Sequence, residues 1–418
     1  MKSSIPKKVE LLAPAGNFEK LETAIYYGAD AVYLAGKDFS LRNYAENFSY
    51  DDMKKGIELA HKNNVNVYVA CNIYSRNNEQ DDIYRYLKEL GNLKPDAIII
   101  ADPGILFLAR EIIPDMELHL STQSNTTNYN SVLFWEKQGI KRVNAARELS
   151  LTEIKEISGK CSIEIETFVH GAMCISVSGR CLLSSFLINR DSNRGLCAQS
   201  CRWQYSVVEE KRPGEYLPIR EDSRGTYIFN SKDLCMIEYL PELIEAGISS
   251  LKIEGRMKGI NYLASAVKVY REAIDTYYET PHSFRVKPEW LDELSRISNR
   301  KYCTGFYLNN PDQITANFSD DKPATIHLFI GKMLSMNTDG SMKVQARNKI
   351  VEGDEVEILT PKGPAQKDRI KKILKENGQP TSVAQPNEIV SLFFNTTYSP
   401  NDLIRKLEEI SHNNQPKR

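Results

Sequence analysis

The sequence predicts a (β/α)8 TIM-like barrel with a cysteine-rich insertion and a small C-terminal β-barrel domain. Three observations carry this expectation. Eight short, β-rich apolar runs alternate with amphipathic segments over about the first 280 residues. The runs are apolar almost throughout, as parallel strands covered by helices are. The eightfold count favours closure into a barrel over the competing doubly wound open sheet.

The strand runs fall at 9–13, 31–35, 65–70, 97–101, 118–121, 143–146, 163–169 and 251–253. Between most of them, apolar residues recur at three- and four-residue spacing, as in the stripe Phe18, Leu21, Ile25 and in Leu240, Leu243, Ile244. Gly28, Gly139 and Gly247 each stand just before a strand run, where a left-handed residue ends a helix and releases the chain. The alternation breaks between 171 and 233, a stretch too long for an ordinary barrel connection and therefore a candidate functional loop. Short glycine-punctuated β segments follow over 325–394, among them TIHLFIGKML, GSMKVQA and VEGDEVEIL. The expected organisation is a barrel domain over 1–320 with the insertion at 171–235, a β-barrel domain over 321–400, and a frayed polar tail over 401–418.

Composition narrows the function classes. The 418 residues carry 54 basic and 55 acidic side chains, for a net charge of −1. A histone-like polycation is excluded, so contact with nucleic acid has to come from a local basic patch. No apolar run approaches the ~20 residues of a spanning helix, and the first residues lack the apolar core of a signal peptide. The expected location is the cytoplasm, without membrane contact, where thiols stay reduced. No GxGxxG or GxxxxGK[ST] follows a strand run, so dinucleotide and P-loop binding have no support.

Five of the eight cysteines, Cys174, Cys181, Cys197, Cys201 and Cys235, fall in the irregular stretch, while Cys71, Cys161 and Cys303 stand apart. Soft thiolates in a reducing compartment suit zinc or an iron–sulfur cluster. A zinc ribbon brings two CxxC-type knuckles; here the only close pair is Cys197 and Cys201, and the loose spacing suits a 4Fe–4S cubane better. The alternative is that these thiols are small buried hydrophobes, although little apolar core surrounds them in sequence. Arg180, Arg190, Arg194 and Arg202 accompany them, with Asp191 the only acid from 180 to 202. Such cations offset a thiolate-rich centre or attract an anionic substrate or phosphate backbone; the same arginines also read as a solvated loop.

Working residues of a barrel gather at the C-terminal strand ends. Those ends supply Asn17, Arg42, Asn43, Asn72, Asp102, Thr122, Gln123, Arg147, Glu148, His170, Glu254 and Arg256. His170 and Glu254 are the candidate proton carriers. Arg42, Arg147, Arg180 and Arg256 are the candidate substrate-binding cations. Each also has a structural reading, as an Arg–Glu pair or a packed histidine. The tract KDRIKKILK (367–375) carries five basic residues and one acid, and the insertion sets arginines beside Trp203 and Tyr205. Both suit a phosphate backbone with an unstacked base, and KDRIKKILK reads equally as a solvated helix or strand edge.

VELLAPAGN, GADAVYLAG, LRNYAENFS, FVHGAMCISVSGRCLLSSFLINRDSNRGLCAQSCRWQY, and NSKDLCMI with LKIEGRMK occur in this order along the chain. Over roughly residues 8–310 this series resembles peptidase family U32, and the β-rich tail resembles that family's C-terminal domain. Within the family the motifs look most similar to the tRNA hydroxylation subgroup, which helps install 5-hydroxyuridine at the wobble position. A related subgroup, acting in oxygen-independent ubiquinone hydroxylation, carries a 4Fe–4S cluster. The resemblance implies Cys174, Cys181, Cys197 and Cys235 as cluster ligands, with Cys201 a spare or alternative thiol. It also implies tRNA as partner and prephenate, a small anionic co-substrate, as hydroxyl source.

Two other readings stay open beside this one. A collagenase-like peptidase would use Cys174, four residues after His170, or a bound metal, although HExxH, GxSxG and papain- or caspase-like signatures are missing. A non-catalytic RNA-binding factor would hold a structural zinc. Oligomeric state is left open.

Overall fold

The computed structural model describes residues 8–40, 46–173, 198, 207–208, 216–217, 220–222, 225–227, 232–298, 302–308 and 325–409. Eight parallel strands close on themselves: β1 (Glu10–Pro14), β2 (Ala31–Leu34), β3 (Asn66–Cys71), β4 (Ala97–Ile100), β5 (Leu118–Leu120), β6 (Arg142–Asn144), β7 (Glu164–Ala172) and, later in the chain, β9 (Ser250–Ile253). The closing pair is β9 with β7, parallel, while β9 also pairs with β1. Each of the eight expected runs forms a barrel strand. An open doubly wound sheet is thereby ruled out.

Local chemistry fixes the helices that cover the barrel. These are α1 (Phe18–Tyr26), α2 (Tyr50–Lys62), α3 (Gln80–Leu93), α4 (Pro103–Ile112), α5 (Tyr129–Lys137) and α6 (Leu151–Lys160), then α7 (Leu240–Glu245), α8 (Ile260–Glu279) and α9 (Pro288–Ile297). Asn17, Ser49, Asp102, Asn128 and Ser150 cap five of them by accepting from amides in the first turn, and Ser150 forms a capping box with Glu153. Asn17 and Asp102, both candidates at strand ends, are thus committed to helix starts.

Two short strands extend the ladder beyond closure. β8 (Asp233–Cys235) runs antiparallel to β7 with Cys235 opposite His170, and β10 (Tyr302–Cys303) runs parallel to β8. These additions, which apolar periodicity does not foreshadow, bring Cys235 and Cys303 beside the end of β7.

The C-terminal unit is a curled antiparallel sheet of β11 (Thr325–Met336), β12 (Met342–Ala346), β13 (Glu355–Leu359), β14 (Gln366–Arg369), β15 (Lys372–Lys375), β16 (Ile389–Phe393) and β17 (Leu403–Glu409). Its order is β14-β13-β17-β11-β12-β16-β15, continued by the short strand Pro380–Thr381. The chain steps from β14 at one edge to β15 near the other through Ile370 and Lys371, so the sheet curls round its core. The polar tail expected from 401 is corrected here. Leu403, Ile404 and Arg405 are buried in β17, which pairs with β11 and β13: Ile404 joins the core of this unit and Leu403 packs with the barrel's core, while 410–418 lie outside the described residues.

This unit is keyed to the barrel's outer helices. Arg405, fully buried, holds Glu293 of α9 at 2.6 and 3.0 Å and lies 3.7 Å from Glu357 of β13. Arg296 of α9 reaches Glu357 at 2.8 Å. The hydroxyls of Tyr26 and Tyr27 at the end of α1 donate to Asp402 and to the Leu359 carbonyl.

Candidate functional site

The barrel interior is divided chemically. Around β1–β4 it is small and apolar, with Leu12, Ala31, Ala70, Ala97 and Ile99 packed together beside Tyr33 and Tyr68. Around β6, β7 and β9 it is charged. Arg142 meets Glu10 at 2.6 Å and Glu164 at 2.5 Å, and the Tyr68 hydroxyl donates to Glu10. One layer higher, Lys252 meets Glu166 at 2.7 Å, Asn144 Nδ2 donates to the same carboxylate, and the Lys252 ammonium lies 4.5 Å from the Tyr33 ring centroid. Burial favours the neutral acid at Glu166, but Lys252 and then Arg142 outweigh it and hold the carboxyl below its ordinary range. Sequence reasoning missed Lys252, Glu166, Arg142 and Glu10. For Glu166 and Lys252 the signal is the alternation of charge within IEIET and LKIE, set inside runs otherwise read as apolar; Glu10 and Arg142 stand singly at strand starts.

Above this pair lies the C-terminal rim. The Arg147 guanidinium stacks on Phe168 at 3.9 Å, donates to the Ala172 carbonyl at 3.1 Å, and lies 3.9 Å from the Glu254 carboxylate. Arg256 is buried, with Nη2 3.4 Å from Ser40 Oγ, and its carbonyl accepts from Lys20. Gly16 makes that junction fit, because a Cβ there would lie 2.2 Å from the Arg256 carbonyl oxygen. On another part of the rim, Asn72 Nδ2 donates to Gln123 Oε1 at 3.1 Å, the Tyr74 hydroxyl donates to the Gln123 carbonyl, and Asn72 Oδ1 is buried without a partner among the described residues. Among the described residues the rim thus offers Arg147 and Arg256, the Glu254 carboxylate and the amides of Asn72 and Gln123. Groups of these kinds can clamp an anion and hydrogen-bond the edge of a planar heterocycle.

His170 takes a different direction. Alternation along β7 aims Glu166 and Phe168 inward, but the pairing shifts register after Phe168, where one extra residue enters β7. The His170 ring then meets Tyr262 and Tyr270 of α8 and Tyr302 of β10, at 5.8, 5.5 and 5.3 Å. Gly171 follows with φ +105°, and a Cβ there would lie 2.5 Å from the Glu254 carbonyl oxygen. Burial, with Lys258 adding to it, lowers the imidazole to about 3, so the ring is neutral; neither nitrogen has a partner among the described residues.

Across from His170, Cys235 carries a free thiol 3.9 Å from the Tyr270 hydroxyl. Tyr270 gives its own proton to the Val169 carbonyl, so toward Cys235 it accepts. Burial pushes this thiol up to about 11. Cys174, Cys181, Cys197 and Cys201 lie outside the described residues, as do Arg42, Asn43, Arg180, Arg190, Arg194, Arg202, Trp203 and Tyr205. Among the described residues, no three His, Cys, Asp or Glu side chains are grouped to hold a metal ion, and no helix is long and apolar enough to cross a membrane.

The closed parallel barrel with a polar C-terminal rim is that of an α/β-barrel protein, a class whose sites lie at the strand-end loops. More narrowly, the chain belongs to peptidase family U32, whose description matches residues 16–317, and residues 326–405 match that family's C-terminal domain. It is similar to tRNA hydroxylation protein P1 of Bacillus subtilis, at 42% identity over 97% of this chain and 96% of that one. It is 36% identical to tRNA hydroxylation protein P of Escherichia coli, over 85% of this chain and 87% of that one. A 23S rRNA 5-hydroxycytidine synthase of Escherichia coli is 30% identical over 84% of this chain and 52% of that protein.

Proposed function

We propose that the protein is a tRNA-modifying enzyme that hydroxylates the wobble uridine to 5-hydroxyuridine, acting in the cytoplasm. The observation that carries this reading is the near full-length similarity to proteins named for tRNA hydroxylation. The rim chemistry is compatible with it: amides at Asn72 and Gln123 suit a pyrimidine edge, and the cations Arg147 and Arg256 suit an anionic co-substrate. Prephenate, a dicarboxylate, is the hydroxyl source this reading adopts.

Cys174, Cys181, Cys197 and Cys235 would hold a 4Fe–4S cluster, which supplies redox chemistry when bound. Cys235 suits that role as a free thiol on a short strand at the barrel's edge. The two partnerless nitrogens of His170, cross-strand from it, also suit a corner completed by a further polar group. Glu254, 3.9 Å from Arg147, is the rim carboxylate that would take or return a proton in this scheme.

Nucleoside analysis of tRNA from a strain lacking the gene and its paralogues tests the reaction. Loss of 5-hydroxyuridine-derived nucleosides is expected, restored by the wild-type chain and not by Cys235→Ala; unchanged nucleosides would reject the reading. Anaerobic purification should yield about four iron and four sulfide per chain. One zinc without sulfide would replace the cluster with a structural site. Gelatin cleavage lost in Cys174→Ala, with iron retained, would carry the peptidase reading instead.

A further inference from the structure

We infer that β14 and β15 of the C-terminal domain form a docking surface for the RNA phosphate backbone, remote in sequence from the barrel rim. The tract has become two strands joined by a two-residue step, and Lys367, Arg369, Lys371, Lys372 and Lys375 are all exposed. Its single acid does not face solvent with them. Asp368 is buried, and its carboxylate accepts from the amides of Asn395 and Thr396, from Asn395 Nδ2 and from the Tyr398 hydroxyl. Glu357, opposite Lys367 in the ladder, is buried at the junction with α9, engaged by Arg296 and Arg405.

Exposed acids bordering the tract include Glu355, 3.8 Å from Arg369, Glu376, which Lys343 engages at 3.1 Å, and Asp339, whose carboxylate feels the Lys372 charge. A chain of net charge −1 thus presents a local concentration of cations. An aromatic face accompanies them, since Lys372 lies opposite Phe393 in the ladder with its ammonium 5.6 Å from the ring centroid. Lysines also guard sheet edges against aggregation. That role does not require internal sequestration of the neighbouring acids, whereas a polyanion surface gains from it. The choice of RNA as the polyanion rests on the proposed function.

Fluorescence anisotropy with labelled tRNA, across about 50–300 mM salt, tests the inference. Substituting all five residues by Gln should weaken binding at least tenfold near physiological salt. It should also reduce the slope of log affinity against log salt by about 3–4, close to one per phosphate contact. The triple variant Lys54→Gln, Lys55→Gln, Lys62→Gln on α2 should bind within twofold of wild type. Photocrosslinking of the wild-type complex provides a readout independent of the variants, with RNA adducts expected on the 366–375 peptide. Affinity within twofold of wild type in the five-site variant, or adducts confined to barrel peptides, overturns the inference. Loss of binding to phosphatidylserine vesicles with tRNA affinity kept overturns it in favour of a lipid surface. A wild-type chain that binds tRNA through this surface while nucleosides stay unchanged in the deletion strain rejects the hydroxylase reading and sustains the surface.

Discussion

Lys252 Nζ lies 2.7 Å from Glu166 Oε1 inside the barrel, with both side chains almost wholly buried. The pair links the closing strands β7 and β9, so it sits where the barrel is completed. Arg142 from β6 lies 3.6 Å from the other Glu166 oxygen, and Tyr33 and Phe168 enclose the lysine. In such surroundings each charge depends on the other far more than at a surface.

Removing one partner should therefore cost more than removing both. Lys252→Met is expected to lower stability by about 3–5 kcal/mol, and Lys252→Met with Glu166→Gln should regain more than half of that. Urea unfolding of the four-member cycle measures it, and additive losses would refute the coupling. Glu166 is held below its ordinary value of 4.5, so its contribution is complete above that pH. It disappears as pH falls through the lower folded value.

His170 supplies a second pH dependence with a separate window. Its folded value of about 3 lies below the ordinary 6.5, chiefly through burial. Between those limits the unfolded chain binds a proton that the folded chain does not, so stability falls as pH falls from 6.5 toward 3. From pH 7 to pH 5 this component amounts to about 2 kcal/mol. His170→Phe, which keeps a ring among the three tyrosines, should flatten the profile by that amount. Equal pH 7-to-5 losses in wild type and variant would contradict the enclosed neutral imidazole.

The junction of the β1 and β9 loops makes a third expectation. In Gly16→Ala the new Cβ meets the Arg256 backbone oxygen, which cannot rotate away as a side chain can. A loss of about 1–3 kcal/mol is expected. Gly159→Ala in α6 has open space around the added methyl and should gain about 0.5–1 kcal/mol. Thermal melts of the two variants, moving in opposite directions, check the contrast; a neutral Gly16→Ala would show that the two loops are not tightly apposed.

Domain coupling is the fourth. Arg405→Met leaves Glu293 buried with Ser265 as its remaining direct partner. The expected cost is about 3–5 kcal/mol, and calorimetry should resolve one wild-type transition into two, because the C-terminal core is then less tied to α9. An unchanged single transition would mean that the tyrosine contacts of α1 hold the domain without the ion pair.

Much of the architecture is written locally. Eight apolar runs, polar caps such as Ser150 with Glu153, and glycines at 28, 139 and 247, all with positive φ, specify strands, helix starts and helix ends from neighbouring residues alone. The rim residues Arg147, Glu254 and Arg256 were legible for the same reason: a barrel fixes which end of each strand carries the site. KDRIKKILK was ambiguous between helix and strand edge, since its periodicity does not distinguish them. Pairing with β13 and β16 decides it.

Other features exist only once distant segments meet. An acid or lysine within an apolar run tells nothing of its partner, so Glu166 and Lys252 became a pair only when β9 closed against β7. A one-residue register shift turned His170 from the mouth to the tyrosines, and no local pattern marks such a shift. Arg405, in what read as a polar tail, is buried because Glu293 and Glu357 arrive from separate elements to neutralise it. Sequence alone determined the periodicities and the caps. Tertiary structure decided which charges face one another, because electrostatic pairing depends on distance in space and not on separation along the chain.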